Sequence, residues 1–367
     1  MPNPLSRRLF SLGSASLGAA ASGIAQAAAP RAPAGPALIG VIVPTNGRLG
    51  LVGDEAWRGI ALAYAAGAAL ILGTASSTLS FAATESAELA NIAYLELDAP
   101  ADGITKRGFR SLHRFGTTSS DAAAAVRAAI TGVIAPGWHV APQKLRIGLL
   151  FDIGATDGAF AAAMLGALAD AKITPVLPIA TATGRYDLDE PVRRMQRATL
   201  DVVIHAGQPG GAALFYQAMA RARWRPRMVI GTGAGYALDT LTALIGAGFD
   251  RTMVVASPNY GPASAAIARA YDQRYAIKPR GAASLQSYLG AGIAFQAIAN
   301  STAKIGLAAS LAATSIPAGT LANGWGVQFD HDGQNQRSFN LLQQWQSGVL
   351  RPIEPGQPGA VAPILAF

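Results

Sequence analysis

From residue 37 onward the sequence alternates short apolar runs with longer helical stretches, and this alternation leaves few folds open. Parallel strands need a crossover of a dozen or more residues, and a helix is the crossover that packs. The runs at 38–43, 70–72, 93–97 and 111–115 read as strands, with a glycine-rich loop at 44–53 and helices at 55–66 and 78–89. A second cycle begins at residue 145. It has strands at 145–151, 174–178, 201–205, 227–230 and 253–256, and helices at 158–170, 188–198, 211–221, 238–246 and 263–275. After a helix near 285–303, residues 326–335 and 338–345 read as strands around an Asp332-Gly333 turn, an antiparallel appendage. The expected fold class is α/β, two doubly wound units in one chain. At 367 residues each unit can bury a core of its own.

Composition excludes several functions. The net charge is +8, but the cations stand singly or in short groups (Lys106-Arg107, Arg193-Arg194, Arg221 with Arg223) with no interleaved aromatic residues, so no nucleic-acid partner is expected. The absence of cysteine excludes disulfides, thiolate metal sites, a cysteine nucleophile and a lipidated cysteine. His113, His139, His205 and His331 lack the short spacing of a metal motif, so no metal is expected. Gly231, Gly233 and Gly235 follow a strand, but their G-x-G-x-G spacing is not that of a dinucleotide loop. There is no G-x-S-x-G elbow or Walker loop, and Asp330 and Asp332 flank a turn. Neither a catalytic residue nor a cofactor is expected; binding is the expected work.

The N-terminus reads as an address. Ser6-Arg7-Arg8-Leu9-Phe10, a weakly apolar stretch over 12–25 and Ala25-Gln26-Ala27 fit a twin-arginine signal peptide over 1–27. A proline-rich linker over 28–36 follows. The expected location is the periplasm, as a soluble protein without a lipid anchor.

Ile39-Gly40-Val41-Ile42-Val43-Pro44, with Gly47, Gly53 and a helix containing Gly59, resembles the opening of the type I periplasmic binding proteins of the leucine/isoleucine/valine-binding family. Five later segments keep the same order: Leu72-Gly73-Thr74-Ala75-Ser76-Ser77, Thr105-Lys106-Arg107-Gly108-Phe109-Arg110, Arg114-Phe115 with Ser119-Ser120-Asp121, Phe151-Asp152, and Phe329-Asp330-His331-Asp332-Gly333-Gln334-Asn335. The likeness spans 37–353. It implies two Rossmann-like lobes with a hinge and an interlobe cleft, lobe 1 from 37–118 plus 254–325 and lobe 2 from 119–253 plus 326–367. It also implies a monomeric receptor that closes on a small molecule and presents it to an ABC transporter permease. The chain departs from the family by lacking one strand and one helix between residue 67 and Leu70, so lobe 1 is expected to be short. A ligand-sensing or adaptor protein of the same fold is the alternative.

Ser76 and Ser77 stand where a strand gives way to a helix, where free N–H groups and hydroxyls suit a carboxylate. Ser77 matches the family serine that binds the ligand carboxylate. Pro100 stands where a family threonine touches a bound amino acid, and Gly233 where the ammonium-binding carboxylate stands. These replacements favour a small carboxylate, aromatic ones included, over an ordinary α-amino acid, because a buried ammonium without its counter-charge is costly. A branched-chain amino acid stays open if Asp98 supplies that charge. Tyr236, Tyr260 and Gln208 are expected to wall the cleft, and Thr156, in place of a family aromatic residue, implies a roomier pocket.

Overall fold

The computed structural model describes residues 39–42, 70–182, 184, 187–302 and 305–365. The expected signal (1–27), linker (28–36), glycine-rich loop (44–53) and helix 55–66 lie outside the described residues. All the described residues belong to one compact unit.

The first sheet holds β1 (Ile39–Ile42), β2 (Leu70–Gly73), β3 (Tyr94–Glu96) and β4 (Leu112–Arg114), in that spatial order and all parallel. Helix α1 (Ser77–Leu89) follows β2 directly. β2, β3 and β4 are almost wholly buried, as parallel strands covered on both faces must be, whereas Gly40 of the edge strand β1 is exposed.

The second sheet is built around β5 (Ile147–Asp152), β6 (Leu177–Thr181), β7 (Val202–Ala206), β8 (Met228–Thr232) and β9 (Met253–Ala256), which run parallel in the order β6-β5-β7-β8-β9. Its helices are α2 (Ser119–Ala129), α3 (Ala155–Asp170), α4 (Asp189–Arg197), α5 (Pro209–Arg221) and α6 (Thr240–Ile245). Thr118 starts α2 with a reciprocal cap: its hydroxyl accepts from the Asp121 N–H at 2.9 Å and the Asp121 carboxylate accepts from the Thr118 N–H at 2.8 Å. Such a cap contributes about 1 kcal/mol.

Strand alternation explains the two cores of this sheet. Ile147, Leu149, Val202, Ile204 and Ile230 face α2 and α3, whereas Leu150, Val203 and Val229 face the side covered by α4 and α5. Successive side chains point to opposite faces, so a strand covered on both sides is apolar throughout.

After β9 the chain returns to the first sheet. Helices α7 (Ala265–Tyr275), α8 (Ala282–Asn300) and α9 (Leu307–Ala312) and the antiparallel pair β10 (Ser315–Ile316) and β11 (Val327–Gln328) belong to that part. Leu72, Leu95, Leu97 and Phe115 share a core there with Leu285, Ile293, Leu311 and Trp325. A single antiparallel bridge, Phe329 to Asn335, closes the Asp332-Gly333 turn. The strand that follows does not pair back on β11. β12 (Leu341–Gln346) adds antiparallel to β9, and β13 (Val349–Pro352) adds to β12. Leu341, Leu342 and Trp345 are buried in the large sheet, which explains the choice of partner.

Two of the three passages between the sheets lie side by side. Arg114 Nε donates to Gln334 Oε1 at 2.5 Å, Gln334 Nε2 donates to the Gly116 carbonyl at 2.9 Å, and Asn335 Nδ2 donates to the Phe115 carbonyl at 3.1 Å. A Cβ on Gly116 would stand 2.6 Å from the Leu97 carbonyl oxygen and 2.7 Å from Gln286 Nε2. Only glycine fits so close an approach.

Candidate ligand cleft

In an open α/β sheet the carboxyl ends of the strands are the ligand edge. At that edge of the small sheet lies a fully buried carboxylate, Glu96. Its Oε1 accepts from the N–H groups of Thr74 (2.5 Å), Leu97 (3.0 Å), Asp98 (3.1 Å) and Ala99 (3.0 Å). Its Oε2 accepts from Ser80 Oγ at 2.6 Å and Thr74 Oγ1 at 3.3 Å. Burial pushes this carboxyl up, and the hydroxyl and N–H donors pull the other way. The loop after β2 and the loop after β3 are thus tied to one side chain.

Those loops carry most of the expected contacts. Ser76 is the N-cap of α1, its hydroxyl accepting from the Leu79 N–H at 3.5 Å. Ser77, fully buried, accepts from the Ala101 N–H at 3.2 Å. Its own N–H donates to Thr156 Oγ1 of α3, on the opposite sheet, at 3.1 Å. Pro100 lies between Ala99 and Ala101, whose carbonyls accept from Arg114 Nη1 at 3.1 and 2.7 Å. Asp98 is half-buried. Burial first, then the neighbouring Glu96, raise its carboxyl to about 7, against a hydrogen bond from Gln286.

The large sheet contributes less. Gln208 is half-buried at the N-cap position of α5 without a capping bond from its side chain. Gly233 is exposed after β8 at φ 87, a left-handed conformation that favours glycine. Tyr236 does not face the cleft. It is fully buried, hydrogen-bonded through its hydroxyl to His205 Nδ1 and stacked on Phe249 at 6.1 Å. The short helical turn after Gly233 points its ring inward, under Gly231, where a Cβ would collide with it at 2.1 Å. Tyr260 is half-buried against the small sheet's core, its hydroxyl paired with Ser284 Oγ at 2.9 Å.

The two sides meet at several places, among them Ala159 of α3 packed on the Ala87 and Tyr94 cluster and the Ser119 N–H donating to the Pro100 carbonyl at 2.8 Å. Besides the Ser77–Thr156 bond, the Asp239 N–H donates to the Arg280 carbonyl at 2.9 Å, and Ala75, Leu238 and Ala283 form a small buried apolar cluster. The facing ends of the two sheets are therefore in direct contact. Glu96, Gln286, Arg114 and Leu238 escape a reading by sequence. Only Glu96 carries a signal there: one carboxylate within an otherwise apolar strand, at its carboxyl end.

Comparison with known proteins agrees with this architecture. The family model described as Periplasmic binding protein matches residues 61–348, well over half the chain. The chain is 29% identical over 366 residues to Leu/Ile/Val-binding protein homolog 8 of Brucella suis biovar 1 (strain 1330), covering 86% of this chain and 90% of that one. Its fold matches a leucine-binding protein from Thermotoga maritima with a TM-score of 0.74 at 14% identity, covering 86% of this chain and 97% of the other. It matches an ABC transporter solute-binding protein from R. palustris in complex with benzoate with a TM-score of 0.74 at 17% identity, covering 90% and 99%. Among the described residues no helix is long and apolar enough to cross a membrane. Two largely parallel sheets, three passages between them, polar groups gathered at the strand ends and these matches together show that the chain belongs to the type I periplasmic binding proteins of the leucine/isoleucine/valine-binding family.

Proposed function

We propose that this protein is the substrate-binding component of an ABC importer and that it closes over a small organic carboxylate, aromatic ones included. The observation that carries the reading is the Ser77 N–H. It belongs to the first turn of α1 and points across the cleft at an oxygen acceptor, Thr156 Oγ1, 3.1 Å away. A helix N-terminus favours an anion there by dipole and by N–H donation. On opening, the hydroxyl leaves and a ligand carboxylate oxygen takes its place. Asp98, raised to about 7, is a weak counter-charge for an ammonium and a ready donor to a carboxylate when protonated. The benzoate bound by the R. palustris protein of the same fold supports this class of ligand. Lobe boundaries near residues 118, 254 and 325, a monomeric state, and twin-arginine export to the periplasm with cleavage after Ala27 complete the proposal.

A branched-chain amino acid is the second reading, favoured by the leucine-binding relative and by the presence of a carboxyl, Asp98, in the cleft. A thermal-shift screen separates the two. A ligand at 100 times its Kd stabilises by ~2.7 kcal/mol. A shift with benzoate or an aliphatic carboxylate that is lost on Ser77→Ala supports the proposal. A shift with leucine, isoleucine or valine alone, lost on Asp98→Asn, replaces it with the second reading.

A further inference from the structure

The cations that stand scattered in the sequence gather at one edge of the fold. In a parallel sheet the residues just before each strand all lie at the same end. Lys144 and Arg146 precede β5, Lys172 precedes β6, Arg223 and Arg227 precede β8, and Arg251 precedes β9. The first five are exposed and Arg251 is half-buried. The strands β6-β5-β7-β8-β9 are neighbours, so at ~4.8 Å per strand the array spans about 19 Å, at the end of the sheet opposite the ligand edge.

Carboxylates at this edge are few and partly engaged. Asp201 accepts from the Arg146 N–H at 2.9 Å and lies 3.8 Å from the Arg227 guanidinium, an ion pair that offsets one cation of the array, and Asp250 accepts from the Gly348 N–H at 3.0 Å. Asp170 is exposed. Two half-buried tryptophans frame the array. Trp138 packs on the core of one sheet face, with the Arg227 guanidinium 3.8 Å above its ring, and Trp224 packs on the core of the other. Cations with tryptophan at their margin, spread over a broad edge, fit the charged and interfacial layers of an anionic bilayer. They lack the groove and stacked aromatic platforms that a nucleic-acid strand needs.

We propose that the strand-start edge of the large sheet is a peripheral membrane-binding surface for anionic phospholipid. It would concentrate the receptor near the membrane while leaving its ligand edge uncovered by lipid. The proposal does not depend on the identity of the ligand.

The test is co-sedimentation of the protein with vesicles of phosphatidylcholine alone and of phosphatidylcholine with phosphatidylglycerol. Binding is expected only to the anionic vesicles, and it should vanish at 1 M salt, where the Debye length is about 3 Å. Lys144→Glu with Lys172→Glu and Arg223→Glu should weaken the partition by roughly 100-fold, from about 1 kcal/mol per cation at the surface. The charge-matched control, Lys106→Glu with Arg110→Glu and Arg269→Glu, alters three exposed cations away from this edge and should change it by less than about threefold. Equal losses in both triple variants, equal binding to neutral vesicles, or no binding to anionic vesicles at low salt would overturn the proposal. Binding to single-stranded DNA without binding to vesicles would overturn it too.

Discussion

The two sheets handle their ligand edges in opposite ways. At the end of the small sheet, polar groups converge: Glu96 gathers four N–H groups and two hydroxyls, and Asp98, Ser76 and Ser77 stand around it. At the end of the large sheet the polar groups turn inward. The Tyr236 hydroxyl and His205 satisfy each other inside a core with Phe215, Phe249 and Trp345. On the proposed reading the four-stranded sheet would supply the recognition chemistry, and the seven-stranded sheet would meet it through Thr156 and Leu238. Among the described residues the smaller sheet carries the gathered polar groups, and one buried carboxylate braces its loops.

The comparison breaks most visibly at Glu96. Glu96→Ala removes the acceptor of the Thr74, Asp98 and Ala99 N–H groups, whereas the Leu97 N–H keeps the Gly73 carbonyl at 2.5 Å. The expected loss of stability is about 3–5 kcal/mol, measured by urea unfolding, together with loss of ligand binding. Glu96→Gln keeps one acceptor oxygen and should cost roughly half as much. A variant that retains full stability would mean that these loops hold themselves, and the contrast between the sheets would fall.

Asp98 gives the comparison a pH axis. Its carboxyl is raised to about 7, by burial and then by Glu96, from an unfolded value near 4. The folded chain therefore holds that proton more tightly than the unfolded chain. The resulting stabilisation is present at pH 4 and is lost as pH rises from about 4 to 7, with a magnitude on the order of 2–4 kcal/mol. Asp98→Asn should flatten the stability profile across that window and should make affinity for a carboxylate ligand independent of pH between 6 and 8. An unchanged profile in thermal unfolding between pH 4 and 8 would place the ionised form elsewhere than in this site.

How much of this was legible in the sequence follows from distance along the chain. The strand-helix alternation is local, so β5, β7, β8 and β9 and their helices fall within a few residues of where the periodicity puts them. α3 begins three residues earlier than the apolar run suggests, at Ala155, because the turn at Gly154 already supplies an extended N-cap. Ser76 as a helix cap was readable for the same local reason. The inward turn of Tyr236 was not. It depends on Gly231, His205, Phe249 and Trp345, contributed by three other strands and a loop. Pairing of β12 with β9 was equally hidden, since it spans more than eighty residues.

Tyr236→Phe tests the inward-turned side of the comparison. It removes the hydroxyl that meets His205 and leaves the ring stacked on Phe249. A loss of about 1–2 kcal/mol in stability is expected, with ligand affinity unchanged. Affinity that falls by tenfold while stability holds would move this tyrosine from the wall to the recognition chemistry.

The smallest effect is expected at Thr156, where the two sheets touch through one hydrogen bond. Thr156→Val keeps the volume of the side chain and removes the oxygen that the Ser77 N–H meets at 3.1 Å. The α1 N–H groups then have water as their alternative acceptor in the open form and none in the closed form, so the closed form alone is penalised, by about 1 kcal/mol. Ligand-free protein should shift towards the open form, readable as a larger radius of gyration in solution scattering, whereas the protein saturated with a carboxylate should scatter as before because the ligand oxygen supplies the missing acceptor. If ligand-bound and ligand-free Thr156→Val shift equally, the Ser77 N–H does not bind the ligand, and the polar side of the cleft must be sought around Asp98 alone.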